Sequence, residues 1–143
     1  MVTNLDFPEE LVGCILPTSK VVVLTGAGVS AESGIPTFRD SQIGLWKNFK
    51  PQELASLRAF EKDPRLVWDW YRWRRALIDR AVPNAAHQAL KRLEDWAPDS
   101  WLVTQNIDGL HGLAGSRRLI ELHGNIHQAR CLPEERLVRD WDF

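Results

Sequence analysis

Residues 21–40 read Val21-Val22-Val23-Leu24-Thr25-Gly26-Ala27-Gly28-Val29-Ser30-Ala31-Glu32-Ser33-Gly34-Ile35-Pro36-Thr37-Phe38-Arg39-Asp40. The four apolar residues at the start, three of them β-branched, are typical of a parallel strand that is buried on both faces. The glycines that follow let backbone N–H groups approach a ligand closely. A helix that begins at Val29, beside the end of this strand, would favour a phosphate at its N-terminus. The pattern predicts a dinucleotide-binding unit, although G-x-G-x-x-A alone is a common match.

The residues after Ser33 depart from an ordinary dehydrogenase. Gly34 and Pro36 end the helix within three residues, so we expect an ordered loop that carries Phe38 and Arg39. A dehydrogenase unit would continue into a second strand and place an acidic residue about 20 residues past the glycines. Residues 45–51 read Leu-Trp-Lys-Asn-Phe-Lys-Pro and contain neither feature. The loop is therefore expected to fold over the dinucleotide.

This segment closely resembles the signature of the sirtuins, the NAD-dependent protein-lysine deacylases. The motif G-A-G-x-S-x-x-S-G-I-P-x-F-R is matched at every fixed position from Gly26 to Arg39. The resemblance implies NAD as co-substrate and acyl-lysine proteins or peptides as substrates. It also implies cofactor contacts from Gly26, Ala27, Gly28, Ser30, Ser33, Gly34, Ile35, Pro36, Phe38, Arg39 and Trp46.

Composition limits the function classes. With 143 residues, 44% of them apolar, the chain suffices for one domain with a core. The net charge of −1 gives no reason to expect nucleic acid or an anionic membrane as a partner. No apolar run approaches the ~20 residues of a membrane span, and no signal-peptide pattern is present. Cys14 and Cys131 are too few for a disulfide framework, which favours the cytoplasm. The sequence carries no signal for an oligomeric state.

Helical patterns precede and follow the Gly-rich segment. Residues 6–16 are expected to form a helix, with Cys14 packed on its apolar side. Between Pro51 and Ala81 helices are expected to begin at Pro51 and again at Asp63. The apolar stripe of the second of these consists of Leu66, Val67, Trp70, Trp73, Leu77 and Ile78.

Tyr71 and Arg74 lie three residues apart on this second helix and can face one pocket. A phenol and a guanidinium in an apolar wall suit an acyl chain that ends in a carboxylate. The alternative is an amphipathic helix whose Arg face is solvated, which the bare spacing favours. Residues 67–75 resemble the segment of desuccinylase-type sirtuins in which Y-x-x-R reads a succinyl or malonyl carboxylate. That resemblance implies substrate-binding roles for Tyr71 and Arg74.

A further helix begins after the cap Asn84, with Ala86, Ala89, Leu90 and Leu93 as its expected buried stripe. His87 in its first turn is expected to pack locally, because structural histidines outnumber ligands at such positions.

A second strand, residues 100–104, runs into the polar segment Gln105-Asn106-Ile107-Asp108-Gly109-Leu110-His111. Open α/β sheets place their sites at the carboxyl ends of strands. The alternative is that Asn-x-Asp-Gly is only a turn. The run resembles the sirtuin motif T-Q-N-[IV]-D-x-L-H. By that resemblance Asn106 and Asp108 contact the reactive half of NAD, Gln105 contacts its ribose, and Ile107 belongs to the same site.

The third strand, residues 119–122, leads to His123-Gly124-Asn125. A lone histidine after a strand is usually structural, but His123 matches the catalytic histidine of the sirtuin L-H-G motif. The resemblance implies that His123 and Asn106 are catalytic. A neutral imidazole can take a proton from a ribose hydroxyl.

The resemblance covers about residues 8–131 and falters beyond them. Cys131 is followed by Leu132-Pro133-Glu134 where sirtuins have a second zinc-binding cysteine, so no zinc is expected. Residues 136–143 are expected to be helical at most.

The predicted fold class is α/β, a truncated Rossmann-type parallel sheet of at least three strands with a small helical insert. As one partial domain it would comprise Rossmann parts at about 8–46 and 82–127, an insert at about 47–81 and a degenerate tail at 128–143. The predicted function is NAD-dependent protein-lysine deacylation. The alternatives are an NAD glycohydrolase on the same scaffold and a non-catalytic NAD-binding remnant.

Overall fold

The computed structural model describes residues 13–36, 54–131, 134, 136–139 and 141. In chain order these residues form a strand, a 3-10 helix at Ala27–Ser33, a helical region, two further parallel strands with short connections, and an antiparallel hairpin. The strands are β1 (Val21–Thr25), β2 (Ser100–Thr104), β3 (Leu119–Glu121), β4 (Gln128–Cys131) and β5 (Arg136–Arg139). The helices are α1 (Leu57–Lys62), α2 (Pro64–Ile78), α3 (Ala85–Trp96) and α4 (Leu110–Leu113).

The three parallel strands form one sheet in the order β1-β2-β3. The register places Thr25 beside Thr104, and Thr104 beside Glu121. All three strands therefore end at one edge of the sheet, where parallel α/β sheets carry their sites. The predicted Rossmann-type architecture is confirmed.

The expectation that β1 is buried on both faces was wrong. The side chain of Val22 is 71% exposed and that of Leu24 is 63% exposed, whereas their neighbours along the strand are half-buried. Trp101 and Ile120 on the adjoining strands are also exposed. The alternating pattern shows that, in the part of the chain that the structure describes, a packed layer covers only one face of the sheet.

Each helix of the helical insert begins with a residue whose side chain caps it. The hydroxyl of Ser56 accepts a hydrogen bond from the backbone N–H of Ala59 (3.2 Å). Asp63 accepts from the N–H of Leu66 (3.0 Å), and Pro64 occupies the first turn of α2. The predicted start at Asp63 is confirmed, whereas the start predicted at Pro51 lies outside the described residues.

The buried face of α2 differs from the expected apolar stripe. It consists of Val67, Trp70, Arg74 and Ile78, at spacings of three, four and four residues. Leu66, Trp73 and Leu77 are only half-buried. A charged side chain thus lies where the stripe was expected to continue.

The cap of α3 was predicted correctly. The side chain of Asn84 accepts from the backbone N–H groups of Ala86 and His87, and the His87 ring bonds back to the backbone N–H of Asn84. His87 is completely buried, as expected of a histidine that packs locally. The expected stripe was wrong at Ala86 and Ala89, which are exposed.

Both ends of the chain differ from expectation where they are described. Residues 13–16 form a turn rather than the end of a helix, and Cys14 is exposed instead of packed. Residues 136–139 form β5, which pairs antiparallel with β4, so the helix expected from 136 onward was wrong. Pairing with β4 satisfies the backbone hydrogen bonds of this short segment, which a marginal isolated helix would not do as well.

A candidate active site at the carboxyl edge of the sheet

A cavity of about 720 Å³ lies at the edge where the three strands end. The structure brings most of the predicted site residues into its wall, from four separate parts of the sequence. These lining residues are Ala27, Ser30, Ile35, Pro36, Tyr71, Arg74, Gln105, Asn106, Ile107, Asp108 and His123. Gly26, Gly28, Ser33 and Gly34 lie in the same segment as Ser30 but do not line the cavity, and Phe38, Arg39 and Trp46 lie outside the described residues.

The Gly-rich segment forms a 3-10 helix over Ala27–Ser33, in the place where a helix was expected from Val29. It ends at Gly34, whose φ of 81° is left-handed and whose N–H bonds to the carbonyls of Ala31 and Ser30. A Cβ placed on Gly26 or Gly28 would meet no atom within 4 Å, so this backbone is open to a ligand. The buried hydroxyl of Ser33 has no hydrogen-bond partner within the described structure. Both features fit a segment that contacts a polar ligand.

Ser30 is the centre of a buried hydrogen-bond cluster. Its Oγ donates to Oδ2 of Asp108 (2.7 Å) and accepts from Nδ2 of Asn106 (3.0 Å). Nε2 of His87 lies 3.5 Å from the same oxygen. Oδ1 of Asp108 accepts from the backbone N–H of Leu110 (2.9 Å). These bonds fix the amide of Asn106 and the carboxylate of Asp108 at the cavity wall.

A second chain of hydrogen bonds supports Asn106 from below. Oγ1 of Thr25 donates to Oγ1 of Thr104 (2.9 Å), which accepts from the backbone N–H of Asn106 (3.1 Å). Nε2 of His111 lies 3.0 Å from Oγ1 of Thr25. Because the hydroxyl proton of Thr25 is used toward Thr104, we assign the proton of His111 to Nε2. Nδ1 of His111 is buried and has no hydrogen-bond partner within the described structure.

The two buried histidines remain neutral near pH 7. Burial, aided by the adjacent His87, lowers the pKa of His111 from 6.5 to about 4, and Asp108 opposes this shift. Burial also lowers the pKa of His87, again opposed by Asp108. The centroids of the two rings are 4.7 Å apart. Protonation of one ring would therefore disfavour protonation of the other, because both are buried.

Tyr71 and Arg74 both line the cavity, and Arg74 is only 7% exposed. The solvated face of the alternative interpretation therefore does not include Arg74, whereas the neighbouring Arg72 is exposed. Burial lowers the pKa of Arg74, and Tyr71 and Asp108 oppose the shift. Burial raises the pKa of Tyr71, opposed by Arg74. The pair presents a neutral phenol and a guanidinium to a mainly apolar wall.

His123 follows β3, is exposed, and lines the same cavity. The segment after it is fixed by the backbone N–H of Ile126, which donates to the carbonyl of Ile107 (2.8 Å). Asn125 donates from Nδ2 to Glu121 (2.8 Å). An imidazole that is open to the cavity can exchange a proton with a bound hydroxyl.

Thr25, His111 and Trp141 are site residues for which the sequence patterns predicted no individual role. The first two act through hydrogen bonds that only the folded register shows. Trp141 lines the cavity from a segment that was expected to be a degenerate tail. A tryptophan among charged residues near the end of the chain was the one available signal.

None of the described His, Cys, Asp and Glu side chains form a group of three or more that could hold a metal ion. Cys131 is half-buried on β4 and does not line the cavity. Among the residues that the structure describes, no helix has both the length and the apolar character needed to cross a bilayer.

Comparison with known proteins gives a consistent result. The profile of the Sir2 family matches residues 26–140. The chain is 57% identical over 112 residues to an NAD-dependent protein deacylase of Aquifex aeolicus, which covers 78% of this chain and 46% of that protein. It is 52% identical over 123 residues to NAD-dependent protein deacylase 1 of Archaeoglobus fulgidus, covering 86% and 50% respectively. The chain thus spans about half the length of the curated relatives that it matches.

Solved structures with the same fold contain NAD or an ADP-ribose derivative. One is a complex of a Sir2 homologue with NAD, with a TM-score of 0.78 and 51% identity over 86% of this chain and 48% of that one. Another is a mutant Sir2 homologue in complex with 2′-O-acetyl ADP ribose, with a TM-score of 0.75 and 52% identity. It covers 83% of this chain and 47% of the solved chain.

Proposed function

Because the chain belongs to the Sir2 family, we propose that it takes part in NAD-dependent deacylation of protein lysines. The acyl group passes from lysine to ADP-ribose, one water is consumed, and nicotinamide and the free lysine are released. The observation that carries this proposal is the hydrogen-bonded cluster of Ser30, Asn106 and Asp108, which shares one cavity with His123. Relatives named as deacylases, and a relative solved with 2′-O-acetyl ADP ribose, support the same chemistry.

The residues of this chain fit NAD. The open backbone at Gly26 and Gly28 and the unpartnered hydroxyl of Ser33 suit polar groups of a dinucleotide. Gln105 and Asp108 at the strand edge suit its ribose and nicotinamide groups. When bound, NAD supplies a ribose carbon that carries nicotinamide as a leaving group. Phe38, Arg39 and Trp46 are proposed as further contacts of the same site, on the strength of the motif alone.

Each of the chain's own groups has a defined task in this proposal. Asn106 is held by Ser30 on its side chain and by Thr104 on its backbone, so its amide is oriented before ligand arrives. His123 takes a proton from a ribose hydroxyl. Ile35, Ile78 and Ile126, which belong to one buried apolar cluster, line the cavity. Preorganised polar groups beside an apolar wall favour group transfer over hydrolysis.

The acyl specificity proposed for the site is succinyl or malonyl, with acetyl as a weaker substrate. Tyr71 and Arg74 line the cavity and would meet a distal carboxylate with a hydroxyl and a guanidinium. A charge-assisted pairing in a partly dry site contributes on the order of 1.5–3 kcal/mol. The burial of Arg74 supports this proposal, because a hydrogen bond between a guanidinium and a carboxylate is stronger in a poorly hydrated site than in water.

Other properties remain predictions. Zinc is not expected to bind this chain. The division into Rossmann parts at about 8–46 and 82–127 with an insert at 47–81 rests on the sequence pattern. The cytoplasmic location rests on the sequence as well. Neither nucleic acid nor a membrane is expected as a partner.

Mass spectrometry of the reaction products tests the proposed function. The purified chain is incubated with NAD and a succinyl-lysine peptide, and nicotinamide, free-lysine peptide and succinyl-ADP-ribose are quantified. We expect the three products in equal amounts, and none from the His123→Ala variant. Nicotinamide formed at the same rate without peptide would instead indicate a glycohydrolase. No product with any acyl peptide would contradict catalysis by this chain and leave the non-catalytic alternative.

A further inference from the structure

We propose that Trp141 forms part of a fixed aromatic wall against which the acyl group packs and determines which acyl groups fit there, an inference that rests on the proposed function. The side chain of Trp141 is 4% exposed and lines the cavity, although it follows β5 and lies far in sequence from the other site residues.

Trp141 extends a row of aromatic rings along one cavity wall. Its ring meets that of Trp68 edge to face, with centroids 4.6 Å apart. Trp68 in turn meets Phe60 with centroids 6.3 Å apart. All three rings line the cavity. Edge-to-face pairs of this kind hold their rings in defined positions, so the wall has a fixed shape.

Contacts with Ile126 and Arg75 fix Trp141 at this position. Its Nε1–H donates to the carbonyl of Ile126 (2.9 Å), in the segment after His123. The guanidinium of Arg75 lies 5.3 Å from the Trp141 ring and also donates to the Trp141 carbonyl. Arg75 itself does not line the cavity. Trp141 therefore connects α2 with the strand edge that carries the candidate catalytic histidine.

The aromatic row lies beside the carboxylate-binding pair. Trp68 and Tyr71 are three residues apart on α2 and share one face, and Arg74 follows one turn later. An acyl group whose carboxylate reaches Tyr71 and Arg74 would pack its methylenes against the rings of Trp68 and Trp141. Because these two rings are held in place, the wall does not shift to admit a longer alkyl chain. Trp141 is thus expected to favour short dicarboxylic acyl groups over long apolar ones.

Calorimetric titration of the full chain with acyl-lysine peptides, in the absence of NAD, tests this inference without turnover. The probes are a succinyl-lysine peptide and the same peptide with a decanoyl group. We expect Trp141→Ala to reduce the preference for succinyl over decanoyl by about tenfold, because the contact with the acyl methylenes is lost and the wall becomes wider. Trp141→Phe, which keeps a ring against Trp68, should reduce it by about threefold.

Two further variants separate a pocket effect from a folding effect. Arg75→Gln removes the guanidinium contacts that hold Trp141 without changing a cavity-lining residue. It should also reduce the preference for the succinyl over the decanoyl peptide. Trp101→Ala, which alters a half-exposed tryptophan on the sheet face, should leave it unchanged. Thermal melting is recorded for each variant. If Trp141→Ala does not fold, Trp141→Phe and Arg75→Gln decide.

The inference is overturned if the folded Trp141 and Arg75 variants discriminate between the peptides as the wild type does, while the proposed function stands. A wild type that binds neither peptide overturns the inference and the proposed function together.

Discussion

Ser30 Oγ donates a hydrogen bond of 2.7 Å to Oδ2 of Asp108, across 78 residues of sequence. The bond joins the Gly-rich segment after β1 to the turn after β2. Asn106 in the same turn donates from its side-chain amide to Ser30 Oγ. A hydroxyl that donates once and accepts once in this way orients both partners, because neither the amide nor the carboxylate can rotate without losing a bond.

Replacement of Ser30 by Ala should destabilise the fold by about 1–3 kcal/mol, because it leaves the buried groups of Asp108 and Asn106 short of a partner. Urea unfolding of the two chains measures this difference. Ser33→Ala is the matched control, since the hydroxyl of Ser33 has no partner within the described structure. An equal loss of stability in both variants would contradict the role given to the Ser30 cluster.

Thr25→Val should lower stability and impair the function of Asn106. The change preserves the shape of the side chain but removes the hydroxyl that links His111 to Thr104. We expect the free energy of unfolding by urea to fall by about 1–3 kcal/mol. We also expect a larger change in kcat than in KM, because the amide of Asn106 is still present but is no longer held in its catalytic position. Thr25→Ser retains the hydroxyl and should restore both quantities. A Ser variant as impaired as the Val variant would show that packing of the Thr25 methyl group is what matters.

The stability of the fold should fall as pH decreases from 6.5 toward 4. The folded-state pKa of His111 is lowered to about 4, so the unfolded chain binds a proton in this range that the folded chain does not. His87, whose pKa is also lowered, contributes in the same direction. The free energy of unfolding is therefore highest above pH 6.5 and falls progressively as the pH decreases below this value. The free energy of unfolding is measured with urea between pH 7 and pH 5. It should change clearly less with pH in His111→Gln than in the wild type. An equal pH dependence in both would argue against a neutral, buried His111.

Arg74→Met should abolish most desuccinylation and spare deacetylation. The substitution keeps the volume of the stem but removes the guanidinium, which only a distal carboxylate would use. Assays on matched succinyl and acetyl peptides measure the two activities. Arg72→Met on the exposed face of the same helix is the control and should change neither. Equal losses on both substrates in the Arg74 variant would indicate that Arg74 serves the packing of α2.

The sheet and its site edge could be predicted because their signals are local. A β-branched run followed by glycines indicates β1, and the polar residues from Gln105 to Asp108 directly follow a strand. The cap at Asp63 is equally local. These features depend on neighbours within a few residues, so the sequence pattern carries them.

The remaining features depend on distant partners. Burial of Arg74 follows from what packs on α2, and the exposure of Val22 follows from which face of the sheet is covered. The strand at 136–139 forms because β4 lies beside it. The hydrogen bond between Thr25 and His111 spans 86 residues. Tertiary context outweighs local propensity at each of these positions.

NAD is proposed to bind where Ser30, Asn106 and Asp108 meet. This binding is measured by calorimetric titration of the full chain with NAD, with Asn106→Ala as the site variant and Trp101→Ala as the control. We expect saturable binding of one NAD per chain, displaced by ADP-ribose, strongly weakened in Asn106→Ala and unchanged in Trp101→Ala. No saturable heat with the wild type, or equal affinity in the Asn106 variant, would contradict it.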